Sequence, residues 1–187
     1  VGSFTPIAGG TVHATDAWDD TMIPSIALGF TFNYLGIDYT QVTISPNGYI
    51  VFGGTVSIGY DPISSTTAAA GAASAVGRDL QGRTGSTIRS ETIGTAGDFI
   101  YVVQWLDAKR YGTSYPDDYF DFQIRLHQNG NKIEFVYGEF IGSTFATPVH
   151  PQVGLRGATN ADYKNRTTMT NWLQTIPGET NVLRCAI

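Results

Sequence analysis

The chain has 187 residues, a length that suits one hydrophobic core, so we expect residues 1–187 to form a single domain. Its net charge of −5 and its charged fraction of only 14% argue against nucleic-acid or anionic-membrane partners, which need clustered Lys and Arg. No apolar run approaches the roughly 20 residues of a membrane-spanning helix, so we expect no membrane insertion.

The first clear pattern is a β-meander over residues 29–54, after an N-terminal region whose weak periodicity predicts an edge strand and a loop. Apolar and polar residues alternate there with period two, which is typical of strands with one buried face. Asn47-Gly48 predicts a tight hairpin turn into a strand over Tyr49–Phe52, because such a turn needs positive φ angles. Small residues dominate 64–77, which we expect to be a loop, with one short helix as the alternative.

The second half predicts one strand buried on both faces and one clear hairpin. Residues 99–106 are almost continuously apolar, as expected of a doubly buried strand. Apolar and polar residues then alternate over 120–127, turn at 129–131 and return over 133–137, which predicts one core face and one wet face. With further strands at 88–93, 153–157 and 182–187, the chain is predicted to be all-β: an antiparallel β-sandwich, jelly-roll-like, with about nine or ten strands.

Two groups of acidic residues could hold Ca²⁺, which prefers carboxylate and carbonyl oxygens. The first group is Asp16, Asp19 and Asp20, and the second is Asp117, Asp118 and Asp121. The first group lacks the spacing of an EF-hand loop, and a solvated acidic turn is its alternative. In the second group, alternation points Asp121 away from the core, so it can share a cation with Asp117 or Asp118 only if the loop curls back. Calcium is the one cofactor that the sequence suggests.

Aromatic residues outside the core pattern form a second class of candidate. Exposed rings can stack on sugars while polar neighbours bind the hydroxyl groups, so a glycan or protein ligand is predicted on one rim of the sandwich. The predicted ligand-binding residues are Arg110, Tyr111, Tyr115, Asp118 and Tyr119, and further loop or strand-end aromatics are Trp18, Tyr163 and Trp172. The alternative is that these rings close the open ends of the sandwich.

Catalysis is not expected. The chain has no G-x-S-x-G elbow, its one Cys is the near-terminal Cys185, and its three His residues have no local context for a nucleophilic or zinc site. A two-carboxylate glycosidase needs converging acids, but the odd separation of Glu134 and Glu139 places them on opposite faces of a regular strand. We therefore predict that the protein is not an enzyme.

Several separated motifs resemble a known type of domain. SPNGYIVFGG, then GRDLQGRTGS with QWLDAKRYG, then DFQIRLHQNGNKIEFVYG with PQVGLRGATNADYKNR, are similar to a β-sandwich domain of secreted and surface proteins of Bacteroidota. The resemblance covers residues 27–180, and the first hairpin is also similar to nidogen-like extracellular domains. It implies a secreted or cell-surface protein, cargo of the type IX secretion system, that acts in adhesion, and it carries no catalytic residues to transfer.

The resulting hypothesis is a non-enzymatic extracellular module that mediates adhesion by binding a glycan or a surface protein through the region of residues 110–121. The alternative is a structural subunit that self-associates into a filament or sheath through its edge strands. The segment 182–187 and the N-terminal segment are the expected places for such strand exchange.

Overall fold

The computed structural model describes residues 3–54, 59–63, 71–142, 151–159, 161–165 and 185–186. These residues contain thirteen strands and one turn of 3₁₀ helix at Asn129–Asn131. The strands are β1 (Thr11–Thr15), β2 (Ile23–Tyr34), β3 (Ile37–Ser45), β4 (Tyr49–Phe52), β5 (Ala72–Ser74), β6 (Leu80–Gln81), β7 (Thr87–Ile93), β8 (Ile100–Arg110), β9 (Tyr119–His127), β10 (Lys132–Ile141), β11 (Gly154–Arg156), β12 (Tyr163–Asn165) and β13 (Cys185–Ala186).

Two antiparallel sheets form a β-sandwich, which confirms the predicted fold class. The first sheet has seven strands in the order β1-β7-β8-β9-β10-β13, with β6 pairing to β8, and the second has six in the order β12-β11-β5-β4-β3-β2. The prediction of nine or ten strands was too low, because strands of two or three residues carry no visible periodicity. Within the described part of the chain, no helix is long and apolar enough to cross a membrane.

The predicted meander turns are present. Leu35 and Gly36 have φ angles of 53° and 81°, the positive values that a tight turn between β2 and β3 needs. Gly48 has a φ of 79°, and a Cβ atom there would lie 2.8 Å from Cβ of Val76, so this turn accepts only Gly without strain. The loop expected over 64–77 is wrong in its second part, because Ala72–Ser74 forms β5 beside β4; residues 64–70 lie outside the described residues.

The core lies between the sheets and is rich in stacked aromatic rings. Trp105 of β8 stacks on Phe122 of β9 with 4.9 Å between ring centroids. In the second sheet, the Phe52 ring lies 4.2 Å from Tyr34 and 5.6 Å from Phe32. All five side chains are buried, so the alternation that predicted these strands is also what fills the core.

The sequence predicted that the outer face of the first sheet is exposed to solvent, and this is wrong at its centre. Gln123 of β9 is fully buried although it alternates with core residues, and Gln104 of β8 is fully buried too. Both hydrogen-bond to the N-terminal residues 3–9, here called the strap, which lies across this face. The strap is also why β8 is buried on both faces, as its apolar sequence predicted.

Two β-bulges interrupt the first sheet, one on each side of the same part of β9. The register shifts in β8 between Trp105 and Ala108, and in β10 between Tyr137 and Phe140, each opposite the start of β9. Phe140 and Tyr137 both pair with inward-facing residues of β9, so Glu139 points outward, as Glu134 does. The prediction that Glu134 and Glu139 lie on opposite faces is therefore wrong, because the bulge adds a residue between them.

Candidate functional site

The short strand β6 joins the two regions that the sequence singled out. Leu80 and Gln81 pair with Arg110 and Lys109 of β8. The backbone N–H of Tyr111 donates to the carbonyl oxygen of Asp79 (3.0 Å), immediately before β6. Asp79 therefore links the loop after β8 to the acidic residues near the N-terminus.

Asp19, Asp20 and Asp79 form an acidic cluster. One carboxylate oxygen from each lies within 4.8 Å of the other two. Asp20 accepts hydrogen bonds from Nδ2 of Asn47 (3.0 Å) and the hydroxyl of Tyr60 (3.4 Å). The Oδ1 atoms of Asp19 and Asp79 are buried without a hydrogen-bond donor among the described residues. The cluster thus has two carboxylate oxygens whose hydrogen-bonding capacity is unused within the described residues.

The acidic cluster is electrostatically unfavourable when it is fully ionised. Partial burial, followed by the charges of Asp20 and Asp19, raises the pKa of Asp79 to about 6, although Arg78 opposes this shift. Burial and then Asp20 raise the pKa of Asp19. A cation, or a partner that donates hydrogen bonds, would relieve this repulsion.

The cluster differs from the predicted group in one member. Asp16 lies outside it, and its Oδ1 atom accepts a hydrogen bond from the backbone N–H of Gly85 (2.9 Å). Asp79 takes its place, a residue that the sequence reasoning missed because the contact joins distant parts of the chain. The available signal was its position in the motif GRDLQGRTGS.

Arg110 and Asp118 form a buried ion pair instead of an exposed ligand surface. The guanidinium Nε and Nη2 atoms donate to the two carboxylate oxygens at 2.5 and 2.7 Å, and the Asp118 side chain is 0% exposed. The ring of Tyr115 lies 4.3 Å from the guanidinium carbon of Arg110. These three residues hold the loop after β8, and Tyr111 on that loop is 52% exposed.

The predicted metal group of Asp117, Asp118 and Asp121 is not brought together. Both oxygens of Asp118 bind Arg110, whereas Oδ1 of Asp121 accepts the backbone N–H of Asp107 (2.8 Å). Asp117 is exposed on the loop before β9. Of the two acidic groups in the sequence, the N-terminal one has the geometry closer to a cation site.

The family model described as NIDO related matches residues 1–184. The chain belongs to the NIDO-related family. No curated protein and no solved structure matches the chain. The match supports a nidogen-like extracellular domain, in line with the resemblance seen in the first hairpin.

In this NIDO-related domain, the bulges gather a second set of acidic residues on the outer face. Arg83 pairs with Asp107 (Nε–Oδ1 2.7 Å), and its guanidinium lies over the ring of Tyr119 at 5.3 Å. Burial, then Asp107 and Glu139, raise the pKa of Asp121 to about 6, while the hydrogen bond from Asp107 N–H opposes the shift. Tyr119, predicted to bind a ligand, is here packed against Arg83.

The remaining candidate residues of the NIDO-related domain differ in their exposure and in their contacts. Trp18 is only 7% exposed, because its indole packs beside Gly82, where a Cβ would lie 2.7 Å from Nε1. Tyr163 begins the edge strand β12 and is exposed. His13 contacts Ser90 and His127 contacts Glu134, and neither His belongs to the acidic cluster of Asp19, Asp20 and Asp79. Trp172 and His150 lie outside the described residues.

Proposed function

We propose that this NIDO-related domain is an extracellular recognition module that mediates adhesion, and that its partner binds at an acid–aromatic rim. The rim consists of the acidic cluster with Tyr60 and Tyr111. The proposal rests on the exposed ring of Tyr60, which lies beside the acidic cluster, and on Tyr111, an exposed ring on the loop next to Asp79; Tyr60 is 40% and Tyr111 is 52% exposed. The Tyr60 hydroxyl contacts Asp20, and the Tyr111 backbone is bonded to Asp79.

The chemistry of the rim suits a glycan. The apolar face of a sugar stacks on a tyrosine ring, and its hydroxyl groups donate to the exposed carboxylate of Asp20. The buried Arg110–Asp118 pair supports this role indirectly, because it fixes the loop that carries Tyr111. A protein partner would instead present Lys or Arg to the same carboxylates, and its binding would weaken with salt.

Calcium is proposed at the same place. The acidic cluster offers three hard oxygen ligands, and a divalent cation there would offset the repulsion that raises the pKa of Asp79. The bound ion would make the rim less negative and could itself hold sugar hydroxyl groups. Adhesion would then depend on calcium, and chelation would abolish it.

The test is a glycan array followed by titration of the best hit, with and without calcium. Tyr111→Ala should weaken binding by about tenfold through lost stacking, with little change in melting temperature because the ring is exposed. Tyr163→Ala is the matched control, since Tyr163 is an exposed ring on β12 outside the rim. Equal losses in both variants, or none in Tyr111→Ala, would exclude the rim as the binding surface.

The second candidate function is self-assembly through edge strands. Among the described residues, strand β12 is exposed along its whole length and lies at the edge of the second sheet, where a neighbouring strand could extend it. At the first sheet, Cys185 and Ala186 pair with Phe135 and Glu134 of β10, so removing 181–187 would uncover an edge. Filaments in negative-stain images of the purified chain would favour this candidate, and particles no larger than a dimer by light scattering would favour the recognition module.

A further inference from the structure

The strap, residues 3–9, is bound to the first sheet through a row of long polar side chains. Arg125 Nη2 donates to the carbonyl of Ser3 (3.1 Å), and Gln123 Nε2 donates to that of Thr5 (2.8 Å). Ile7 is held at both its N–H and its carbonyl by the side-chain amide of Gln104 (2.8 and 3.4 Å). Arg89 donates to the carbonyls of Ala8 and Gly9.

These side chains form a continuous chain of hydrogen bonds across neighbouring strands. Gln123 Nε2 donates to Oε1 of Gln104 (2.7 Å), and Arg125 Nε donates to Oε1 of Gln123 (2.9 Å). Arg89, Gln104 and the pair Gln123 and Arg125 come from β7, β8 and β9. The outer face therefore presents a preformed ladder of donors and acceptors for the backbone of an extended segment.

The strap is held by side chains and adds no strand to the sheet, although the Phe4 ring packs against Gly138 of β10. It forms no strand of its own, so the backbone ladder from β7 to β10 does not depend on it. A cleft of about 360 Å³ remains between the strap and the apolar side chains of Ile93, Ile100 and Val102. The strap also ends at Gly9-Gly10, where Gly10 has a φ of 73°, a position that can redirect the chain.

We infer that the strap is an exchangeable segment, and that two copies of this chain associate by docking each strap on the other copy's ladder. The trans complex uses the same hydrogen bonds as the closed monomer, so exchange costs little beyond the entropy of association. The ladder recognises backbone groups at Thr5 and Ile7, which a second copy presents identically. This inference is independent of the acid–aromatic rim.

A complementation experiment tests the inference directly. The acceptor lacks residues 1–8, and the donor carries Gln104→Ala with Gln123→Ala, so that its own strap has lost its central contacts. Each chain alone should be a monomer by light scattering, and the mixture should form a heterodimer. Two folded chains, verified by circular dichroism, that stay monomeric when mixed would overturn the inference.

A second measurement uses the unaltered chain, so it does not depend on whether the chain lacking residues 1–8 folds. Its mass by light scattering should rise to that of a dimer between micromolar and millimolar concentration, and the Gln104→Ala, Gln123→Ala chain should stay monomeric over the same range. A matched control is Gln41→Ala on β3 of the second sheet, which should dimerise normally. An unaltered chain that remains monomeric throughout would overturn exchange, even if the strap sequence as a free peptide bound the acceptor.

Discussion

Replacing Asp121 by Asn should stabilise the protein at neutral pH. The carboxylate of Asp121 is 9% exposed and lies near Asp107 and Glu139, and these conditions raise its pKa to about 6 from 3.8. Its Oδ1 atom accepts the Asp107 N–H at 2.8 Å, a hydrogen bond that the amide oxygen of Asn can keep. The substitution therefore removes an unfavourable charge and retains the structural contact.

The magnitude follows from proton linkage. Between the unfolded pKa of 3.8 and the folded pKa of about 6, the folded state binds the proton more tightly, so this group's contribution to stability rises as the pH falls. Each pKa unit between the two states corresponds to about 1.4 kcal/mol. Above the folded pKa, the ionised carboxylate therefore lowers the free energy of unfolding by about 3 kcal/mol, since the pKa differs by about two units. The substitution Asp121→Asn should recover most of this at about pH 8, a gain of roughly 5–10 °C in melting temperature, and almost none at about pH 4.

The assay is urea unfolding, followed by tryptophan fluorescence, of both proteins at these two pH values. Other carboxylates also titrate, so the measured quantity is the difference between variant and unaltered protein at each pH. Asp117→Asn is the control, because Asp117 is exposed on the neighbouring loop and should change stability by less than about 0.5 kcal/mol. A variant that is less stable at about pH 8, or equally changed at both pH values, would refute the reasoning.

Three further predictions concern stability. Asp118→Ala should lose about 3–5 kcal/mol of unfolding free energy in urea, because it leaves Arg110 buried without its carboxylate; a loss below about 1 kcal/mol would contradict this. Gly48→Ala should lose about 1–3 kcal/mol, and more than Gly36→Ala, since both have positive φ but only Gly48 has a neighbouring atom 2.8 Å from the added Cβ. Calcium should raise the melting temperature of the unaltered protein but not that of the Asp79→Asn variant. If calcium changes neither melting temperature, the acidic cluster is not a cation site.

Local patterns in the sequence were enough to predict much of the fold. The alternation from Phe120 to Leu126 predicts β9 because each residue's face depends only on its neighbours in sequence. The pair Asn47-Gly48 predicts its turn because the required φ is a property of the residues themselves. Such features are local, and the structure confirms them.

The site was harder to predict because it depends on contacts between distant segments. Asn47 bonds both Asp20 and the backbone N–H of Leu80, which brings Asp79 to Asp19, and no local pattern reports these contacts. Asp118 has the polarity of a surface residue, but Arg110 satisfies it inside the protein. Glu139 faces outward because of a bulge, which alternation alone does not show.

The strap also determines how the molecule would respond to force. A pull on its N-terminal end would load the hydrogen bonds one after another, beginning with Arg125 to Ser3 and ending at Arg89, since each is attached to the next residues of one extended segment. Bonds broken in sequence yield at a lower force than bonds broken together. Once released, the seven residues of the strap can turn toward the pull and reach about 20 Å from Gly10 while the sheets stay folded, so an extracellular protein under tension would gain extension before its core is strained.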